Sequence, residues 1–504
     1  MQKMNHTIFK EIDKPESNCG VFGIYNHPEA SLMAYYGLFS MQHRGQEAAG
    51  ITSFFYDEAK QKMKYANHRG PGLISEVFSN PAIFNNVLKG TAAIAHNRYS
   101  TTGSTVKTNI QPFNMIYKSG IMSLAHNGNL TNTIELRNKL LEDGTIFQTT
   151  TDSEIFMHLI AHSKKTTQLE QIIEALNIAR GAFSLCILTN DSLIGARDPL
   201  GIRPLSIGKL STPTGDSYVL ASESCAFDII GAEYIRTVEH NEIVVIDQDT
   251  VKTGEIKSYK INPVTPDKCK NCIFEYVYFA RPDSKIFGEN VDKVRRKLGK
   301  NLAAESPVIK DDDDKVNVVP VPDSSNTATL GYATENDRLN YPSKFELGLI
   351  RNHYVGRSFI SPGQDAREIK VKTKINTVKG IMNGKHITIV DDSIVRGTTS
   401  KLLVKMIREA EPKSLDMRVT SPPVKFPCHY GMDFPSKEEL IANHYENEVE
   451  IGKAIKVDSL KYLSIEKLID SVPKGENIDY CTACFTGEYP IPIEDNSDKY
   501  STES

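Results

Sequence analysis

Short runs of apolar residues, separated by turn residues, dominate the first half of the sequence. Their length and spacing predict β-strands, and two longer stretches have the apolar periodicity of amphipathic helices. The predicted strands cover residues 21–25, 50–55, 121–126, 184–188, 218–222 and 242–246, and the predicted helices cover residues 153–163 and 168–179. The pattern indicates a mixed α and β first domain.

The second half of the sequence alternates fully apolar strands with helices. An amphipathic helix is predicted at residues 290–304, strands at 316–321 and 387–390, and a further helix at 399–410. This alternation is typical of a doubly wound parallel sheet with helices on both faces. Pro263 and Pro266 lie in a polar segment that predicts a linker. We therefore expect one domain over residues 19–262, a second over 263–493 and a polar tail over 494–504.

Composition excludes several classes of protein. The 504 residues suffice for two large domains, and 59 basic against 63 acidic residues leave a net charge of -4, so we expect no nucleic-acid partner. No apolar stretch approaches the roughly 18 residues of a membrane helix, so we expect no membrane association. Residues 1–18 are charged and lack the apolar segment of a secretory signal, which favours a cytoplasmic location. The eight cysteines are too sparse for a disulfide scaffold.

One predicted strand ends in two carboxylates, Asp391 and Asp392, and a turn containing Gly397 opens the next helix. Backbone N–H groups at a helix N-terminus favour phosphate, and carboxylate oxygens are ligands that magnesium prefers. The carboxyl ends of strands are also where open α/β sheets bind ligands. Taken alone, the same residues could merely cap the turn and the helix.

Three segments of the second domain resemble the type I phosphoribosyltransferase family. Residues 387–400 are similar to its phosphoribosyl pyrophosphate (PRPP) motif, 319–325 to its pyrophosphate loop and 351–360 to its flexible loop. The resemblance implies that Mg²⁺ is held by Ser324, Asp391 and Asp392. It also implies that PRPP is bound by Asp391, Asp392, Ser393, Arg396, Gly397, Thr398, Thr399, Arg351 and Tyr354. Arg351 and His353 stand where that family usually has Lys and Arg, and the connection over 334–344 is longer than usual. Both departures affect the loop that closes over PRPP.

Cys19 stands directly before a predicted strand, between small residues that permit close approach of another molecule. A single cysteine is more often a buried apolar residue. Here, however, four further segments accompany it, at residues 42–50, 96–103, 126–129 and 151–154. Together they resemble the class II glutamine amidotransferase family.

This second resemblance implies an N-terminal nucleophile hydrolase with an αββα sandwich. In that family the cysteine attacks the glutamine amide and its own α-amino group is the base, so residues 1–18 would be a propeptide. Asn127 and Gly128 match the oxyanion donors. Arg98 and Asp152 match the residues that bind the carboxylate and the amino group of glutamine. The mechanism needs no imidazole, and we expect the nearby histidines to be structural.

The two domains in this order resemble the amidophosphoribosyltransferase family. The resemblance implies an enzyme that makes 5-phosphoribosylamine, glutamate and pyrophosphate from glutamine and PRPP, as the first committed step of purine (IMP) biosynthesis. It also implies a homotetramer and feedback inhibition by purine nucleotides. Other class II amidotransferases, such as glucosamine-6-phosphate synthase or asparagine synthetase, would not explain residues 391–400. A non-catalytic PRPP sensor would not explain the Cys19 segments.

Two Cys-x-x-Cys pairs, Cys269 with Cys272 and Cys481 with Cys484, would by themselves indicate a four-cysteine zinc site. The family resemblance instead implies a [4Fe-4S] cluster held by Cys272, Cys428, Cys481 and Cys484, with Cys269 left over. Zinc remains the alternative.

Overall fold

The structure is a computed structural model of the 504-residue chain, and it describes residues 19–99, 106–213, 215–264, 266–309, 314–352, 375–434 and 436–493. The predicted propeptide, the predicted tail and Tyr354 lie outside these residues. None of the helices in this described part combines the length and the apolar character that a membrane crossing requires.

Two antiparallel sheets form the first domain. Its strands are β1 (Gly20–Tyr25), β2 (Ala48–Asp57), β3 (Lys62–Pro71), β4 (Ala92–Arg98), β5 (Phe113–Tyr117), β6 (Gly120–Leu130), β7 (Gly181–Leu188), β8 (Leu193–Arg197), β9 (Ser206–Thr212), β10 (Gly215–Ala221), β11 (Glu233–Thr237), β12 (Glu242–Ile246) and β13 (Lys257–Lys260). One sheet has the spatial order β11-β9-β10-β1-β4-β2-β3, and the other has the order β13-β12-β8-β7-β6-β5. The inner faces of the two sheets share a core to which Val21 and Ile94 contribute from one sheet and Cys186 and Val244 from the other.

Helices cover the outer faces of both sheets. They are α1 (Ala30–Ser40), α2 (Ile74–Val77), α3 (Thr133–Glu142), α4 (Ser153–His162), α5 (Gln168–Ile178), α6 (Cys225–Ile230) and α7 (Gln248–Thr253). The first sheet packs on α1 and α6, and the second packs on α3, α4 and α5. Alternating apolar positions on the strands supply both layers of contact. The αββα sandwich implied by the sequence is confirmed.

A five-stranded parallel sheet forms the second domain. The remaining strands among the described residues are β14 (Asn271–Cys272), β15 (Lys285–Ile286), β16 (Glu289–Asn290), β17 (Val316–Pro320), β18 (Ser343–Phe345), β19 (Leu349–Arg351), β20 (Ile375–Thr377), β21 (His386–Asp391), β22 (Ser414–Val419), β23 (Ser459–Tyr462) and β24 (Tyr480–Cys481). The parallel sheet has the order β18-β17-β21-β22-β23.

Helices lie on both faces of this sheet, as the alternation of strands and helices predicts. They are α8 (Val291–Glu305), α9 (Asn326–Arg338), α10 (Lys379–Met382), α11 (Thr398–Arg408), α12 (Glu448–Ile455), α13 (Ile465–Ser471) and α14 (Ala483–Thr486). One core joins α8, α9 and α13 to the sheet, and a second core joins α11 and α12 to it. Much of the long connection noted in the sequence is ordered, because α9 continues to Arg338 and β18 begins at Ser343.

The strand order reverses between β17 and β21. The chain passes from β17 outward to β18, then returns to the other side of β17 to form β21. In open parallel sheets such a switch point creates a crevice at the carboxyl ends of the strands, where ligands bind. The loops after β17 and β21 are therefore the expected position of a ligand site.

A short segment joins the two domains. β14 pairs in parallel with β24, with Cys272 opposite Cys481. A single π-helical turn over Glu275–Phe279 follows directly. This pairing joins the C-terminal part of the second domain to the segment that follows the first domain.

Candidate functional site

Cys19 directly precedes β1, the middle strand of the first sheet. Its side chain is buried, and its Sγ donates a hydrogen bond to the carbonyl oxygen of Tyr99 at 3.4 Å. The next residue, Gly20, pairs with Asn97 of β4. A Cβ atom on Gly20 would lie 2.4 Å from Asn97 Oδ1, so glycine is required for this close approach.

Burial raises the pKa of Cys19 to about 12, although the positive charge of Arg98 acts in the opposite direction. The side chain is therefore a thiol at neutral pH. A thiol attacks an amide only when a base removes its proton. The site consequently needs a proton acceptor next to the sulfur.

Asn127 and Gly128 lie on β6, which contacts β1 across the sandwich. Asn127 is fully buried, and neither atom of its side-chain amide has a hydrogen-bond partner among the described residues. A buried amide without a partner costs free energy, so it is typical of a group that binds a ligand. Gly128 has a φ of 150°, and a Cβ there would lie 2.0 Å from the carbonyl oxygen of Ala182. These are the donors that the sequence predicts for an oxyanion.

Asp152 is held in place by two hydrogen bonds. Its Oδ2 accepts from the N–H of Leu130 at 2.9 Å, and its Oδ1 accepts from the Ser153 hydroxyl at 3.2 Å. Ser153 Oγ in turn lies 2.9 Å from Nδ1 of His126. His126 thus orients the carboxylate indirectly. Arg98, the other predicted glutamine-binding residue, ends β4 and is buried.

The second group of predicted residues meets at the switch point. Ser324 Oγ donates to Asp392 Oδ2 at 2.5 Å, and Ser393 Oγ donates to Asp392 Oδ1 at 2.7 Å. Ser325 Oγ lies 3.3 Å from Asp391 Oδ1. Both carboxylates are nearly inaccessible to solvent. The three residues predicted to hold Mg²⁺ are therefore adjacent, and their oxygen donors suit that ion.

The helix that follows this site begins as the sequence predicts. Gly397 precedes α11 with a φ of 79°, and a Cβ on it would lie 2.3 Å from Ile441 Cδ1. Thr398 and Thr399 form the first turn, where backbone N–H groups and the helix dipole favour phosphate.

Two predicted PRPP-binding arginines point to carboxylates in this structure. Arg396 Nε lies 3.3 Å from Glu439 Oε1, and Arg351 Nη1 lies 3.1 Å from Asp323 Oδ2. The Arg351 pair is about half exposed, so solvent screens it. Tyr354, the remaining predicted residue, lies outside the described residues.

The four cysteines predicted to hold a cluster line one small cavity at the domain junction. The cavity is otherwise lined by Arg203 and by apolar and aromatic side chains. In the described ranges, no group of three or more His, Cys, Asp or Glu side chains is arranged as a ready metal site. Burial raises the pKa of Cys272 to about 12. Four thiolates could therefore share this cavity only together with compensating positive charge, which a metal cluster carries.

Sequence reasoning missed a cluster of buried charges between the domains. It contains Arg44, Arg203, Glu223 and Glu275, all with no solvent exposure. Arg44 stands in one of the motif segments around Cys19, which was the available signal. Nothing in the local sequence distinguishes Arg203, Glu223 and Glu275 from surface charges.

Comparison with known proteins identifies the first domain. Residues 96–228 match the family model described as a glutamine amidotransferase domain. The fold and the paired sites thus define a glutamine amidotransferase joined to a phosphoribosyltransferase-type domain. The chain is 45% identical to amidophosphoribosyltransferase of Bacillus subtilis (strain 168) over 492 residues, 96% of this chain and 97% of the relative. It belongs to the amidophosphoribosyltransferase family.

Other relatives and solved structures support the same assignment. The amidophosphoribosyltransferase of Archaeoglobus fulgidus is 45% identical, covering 94% of this chain and 98% of the relative. A solved structure of the allosteric regulatory enzyme of purine biosynthesis aligns with a TM-score of 0.85 at 42% identity, covering 96% of this chain and 99% of that one. The glutamine PRPP amidotransferase from B. subtilis, complexed with ADP and GMP, aligns with a TM-score of 0.84 at 42% identity, covering 96% and 100% of the two chains.

Proposed function

We propose that this protein transfers the amide nitrogen of glutamine to C1 of PRPP, giving 5-phosphoribosylamine, glutamate and pyrophosphate. This is the first committed step of purine biosynthesis. The observation that carries the proposal is that one chain of this family contains two sites. The first has a buried cysteine next to β1 and, on the contacting strand β6, a buried asparagine amide without a hydrogen-bond partner among the described residues. The second has two carboxylates at the switch point of a parallel sheet.

Glutamine is hydrolysed in the first domain. The α-amino group of Cys19, once it is the chain terminus, removes the thiol proton as Sγ attacks the side-chain amide carbon. The Asn127 amide and the Gly128 N–H stabilise the resulting oxyanion. The protonated amine then returns its proton to the departing nitrogen, which releases ammonia and leaves a thioester. Water activated by the same amine hydrolyses the thioester, which releases glutamate and restores the thiol.

This mechanism requires that residues 1–18 be removed as a propeptide. An α-amino group has a pKa of roughly 7.7 to 8.0, close to physiological pH, so it can accept and return a proton in one cycle. The described histidines near Cys19 hydrogen-bond to structural partners instead: His126 to Ser153, and His43 to Glu223. Intact mass and N-terminal sequencing of active enzyme should place Cys19 first, and active protein that still begins at Met1 would contradict the proposal.

Ammonia is consumed in the second domain. Its lone pair attacks C1 of PRPP, the C1–O bond breaks, and pyrophosphate leaves with the bonding electrons while the new ammonium group loses a proton. The N-terminus of α11 would bind phosphate, and Arg351, Arg396 and Tyr354 would add contacts to PRPP. Ser324, Asp391 and Asp392 would hold Mg²⁺, which neutralises pyrophosphate charge when bound.

We further propose a [4Fe-4S] cluster in the cavity lined by Cys272, Cys428, Cys481 and Cys484. The arrangement that supports it is one small, largely apolar cavity with four thiols on its wall. Zinc is the alternative occupant. The cluster would be structural, since it fastens β14 and β24 to the loop that contains Cys428.

Regulation and assembly follow from the family. We propose inhibition by purine nucleotides, assembly as a homotetramer and a cytoplasmic location. The relative solved with ADP and GMP bound supports the first of these.

One assay tests the proposed reaction directly. Phosphoribosylamine and pyrophosphate formation should depend on PRPP together with either glutamine or free ammonia. Cys19→Ala should abolish the glutamine-dependent reaction and preserve the ammonia-dependent one. Equal glutamine use by the parent and by Cys19→Ala would refute the role of Cys19, and failure of PRPP to support either reaction would refute the transferase.

A further inference from the structure

Glu275 is a buried carboxylate of the second domain that contacts two arginines of the first domain. Its Oε1 accepts from Arg44 Nη2 at 2.7 Å and from Arg203 Nη1 at 3.3 Å, and its Oε2 accepts from Arg44 Nη1 at 2.9 Å. The attraction within a buried ion pair repays the free energy of desolvation only when its geometry is good and its hydrogen bonds are satisfied. Each of these two arginines also hydrogen-bonds to a backbone carbonyl near a different part of the glutamine site.

Arg44 leads to the nucleophile. Its Nε donates to the carbonyl oxygen of Cys19 at 3.2 Å, so the backbone of the attacking residue is held by the same guanidinium that contacts Glu275. Arg44 also donates to Glu223 Oε1 at 2.5 Å. Burial would lower the pKa of Arg44, but the charges of Glu275 and Glu223 raise it above its usual range. The guanidinium is therefore permanently charged.

Arg203 is connected to the strand of the predicted oxyanion donors through a loop of the second domain. Its Nε and Nη2 donate to the carbonyl oxygen of Tyr430, at 2.8 and 2.5 Å, in a loop of the second domain. Within that loop the carbonyl of His429 accepts from Asn129 Nδ2 at 3.1 Å. Asn129 follows the predicted oxyanion donors on β6. The loop thus rests on the strand that carries Asn127 and Gly128.

Glu275 is the group common to both routes. We propose that Glu275 is a positioning residue for glutamine hydrolysis, which keeps Cys19 aligned with Asn127 and Gly128 by anchoring Arg44 and Arg203 at once. The inference rests on the proposed function. It means that the glutamine site is incomplete without the second domain, because its alignment depends on a side chain from beyond the linker. A misplacement of about 1 Å at such a site can lower the rate by about 100-fold.

A purely structural role makes a different prediction. If Glu275 only stabilised the junction, its loss would lower both partial activities in parallel through unfolding. A positioning role instead lowers kcat for glutamine and leaves both the KM for glutamine and the ammonia-dependent reaction nearly unchanged. Glutamine binding depends on Arg98 and Asp152, which Glu275 does not contact in any of the hydrogen bonds described above.

The experiment compares Glu275→Gln with Glu242→Gln in the full chain. Glu242 is a matched control, since it is also buried and accepts from both terminal nitrogens of one arginine, Arg236, at 2.8 Å each. Glu275→Asp is the second variant, because a shorter carboxylate keeps the charge but cannot reach both arginines. kcat and KM for glutamine, the ammonia-dependent rate and the thermal unfolding temperature are measured for each protein.

We expect Glu275→Gln and Glu275→Asp to lower kcat for glutamine by about 10- to 100-fold, with KM and the ammonia-dependent rate changed less than about threefold. Glu242→Gln should lower the unfolding temperature without this selective loss. Parallel loss of both activities in both Glu275 variants, or full glutamine turnover in Glu275→Asp, would overturn the inference. Unmodified enzyme that fails to use glutamine would overturn the proposed function itself, which separates the two failures.

Discussion

Gly431 of the second domain lies against Gly128 of the first, so closely that a Cβ on Gly431 would be 3.1 Å from the Gly128 carbonyl carbon. The contact brings a loop of the transferase domain directly onto a predicted oxyanion donor. The φ of Gly431 is 102°, which also requires glycine at this position.

Gly431→Ala should selectively damage glutamine use. The methyl group would push against the Gly128 backbone, and we expect glutamine-dependent activity to fall at least tenfold while ammonia-dependent activity persists. Gly288→Ala is the matched control, because Gly288 has a φ of 88° but open space around its Cβ position. Both variants incur about 1 to 2 kcal/mol of backbone strain. Equal effects of the two on glutamine turnover would contradict the role assigned to the contact.

Asp391→Asn and Asp392→Asn should impair the transferase while sparing the thiol chemistry. Removing either charge would weaken the proposed magnesium site and leave a poorer partner for the surrounding hydroxyls. We expect ammonia-dependent phosphoribosylamine formation to fall by about 100-fold, a size typical of lost electrostatic stabilisation. Reaction of Cys19 with a glutamine-like alkylating reagent, measured by mass spectrometry, should stay within about twofold of the parent. Unchanged transfer in both variants would place the PRPP site elsewhere.

Cys428→Ser and Cys269→Ser should differ in metal content. Cys428 lines the junction cavity with three other thiols, whereas Cys269 is not among the residues that line it. Purified parent protein should be brown and contain iron and sulfide. We expect Cys428→Ser to lose most of the iron and visible absorbance, and Cys269→Ser to retain both. A colourless active parent containing one zinc per chain would decide for the alternative metal.

Glu242→Gln should have a pH-dependent effect on stability. Burial alone would raise the pKa of Glu242, but hydrogen bonds from Arg236, Ser258 and the Glu239 N–H lower it below its ordinary value. A carboxyl with a depressed folded-state pKa contributes stability above its unfolded pKa of about 4.3, and loses it as the pH falls. The difference in unfolding temperature between parent and variant should therefore be largest near neutral pH and shrink below about pH 4. A constant difference would contradict this.

The sequence predicted the parts of the fold whose residues carry a local pattern. Predicted strand 121–126 lies within β6. Predicted helix 153–163 begins at the same residue as α4 and ends one residue later. The parallel sheet was predictable because its strands are apolar on both faces. β3 was not, since Lys62–Pro71 is an edge strand in which Met63, Tyr65 and Ala66 are interspersed with charged and polar residues. Its ten residues are extended only because they pair along the whole of β2.

The functional residues also fall into two groups, those that stand in contiguous sequence motifs and those that do not. Cys19, Asn127 and Asp391 stand in contiguous motifs, so they could be named from the sequence, and the structure places each at a strand end or inside a strand. Glu275 and Arg203 could not be named. A lone charge in a sequence indicates a solvated side chain, and only the meeting of distant segments buries these two against each other.

The pairing of β14 with β24 sets the order in which this protein can be completed. During synthesis, Cys272 leaves the ribosome long before Cys481. β14 therefore remains without its partner β24 while the parallel sheet forms. β14 gains its pairing partner only when translation has nearly finished. A nascent or prematurely terminated polypeptide that stops short of Tyr480 would therefore retain the contacts of Glu275 with Arg44 and Arg203 but would lack the strand that pairs with β14.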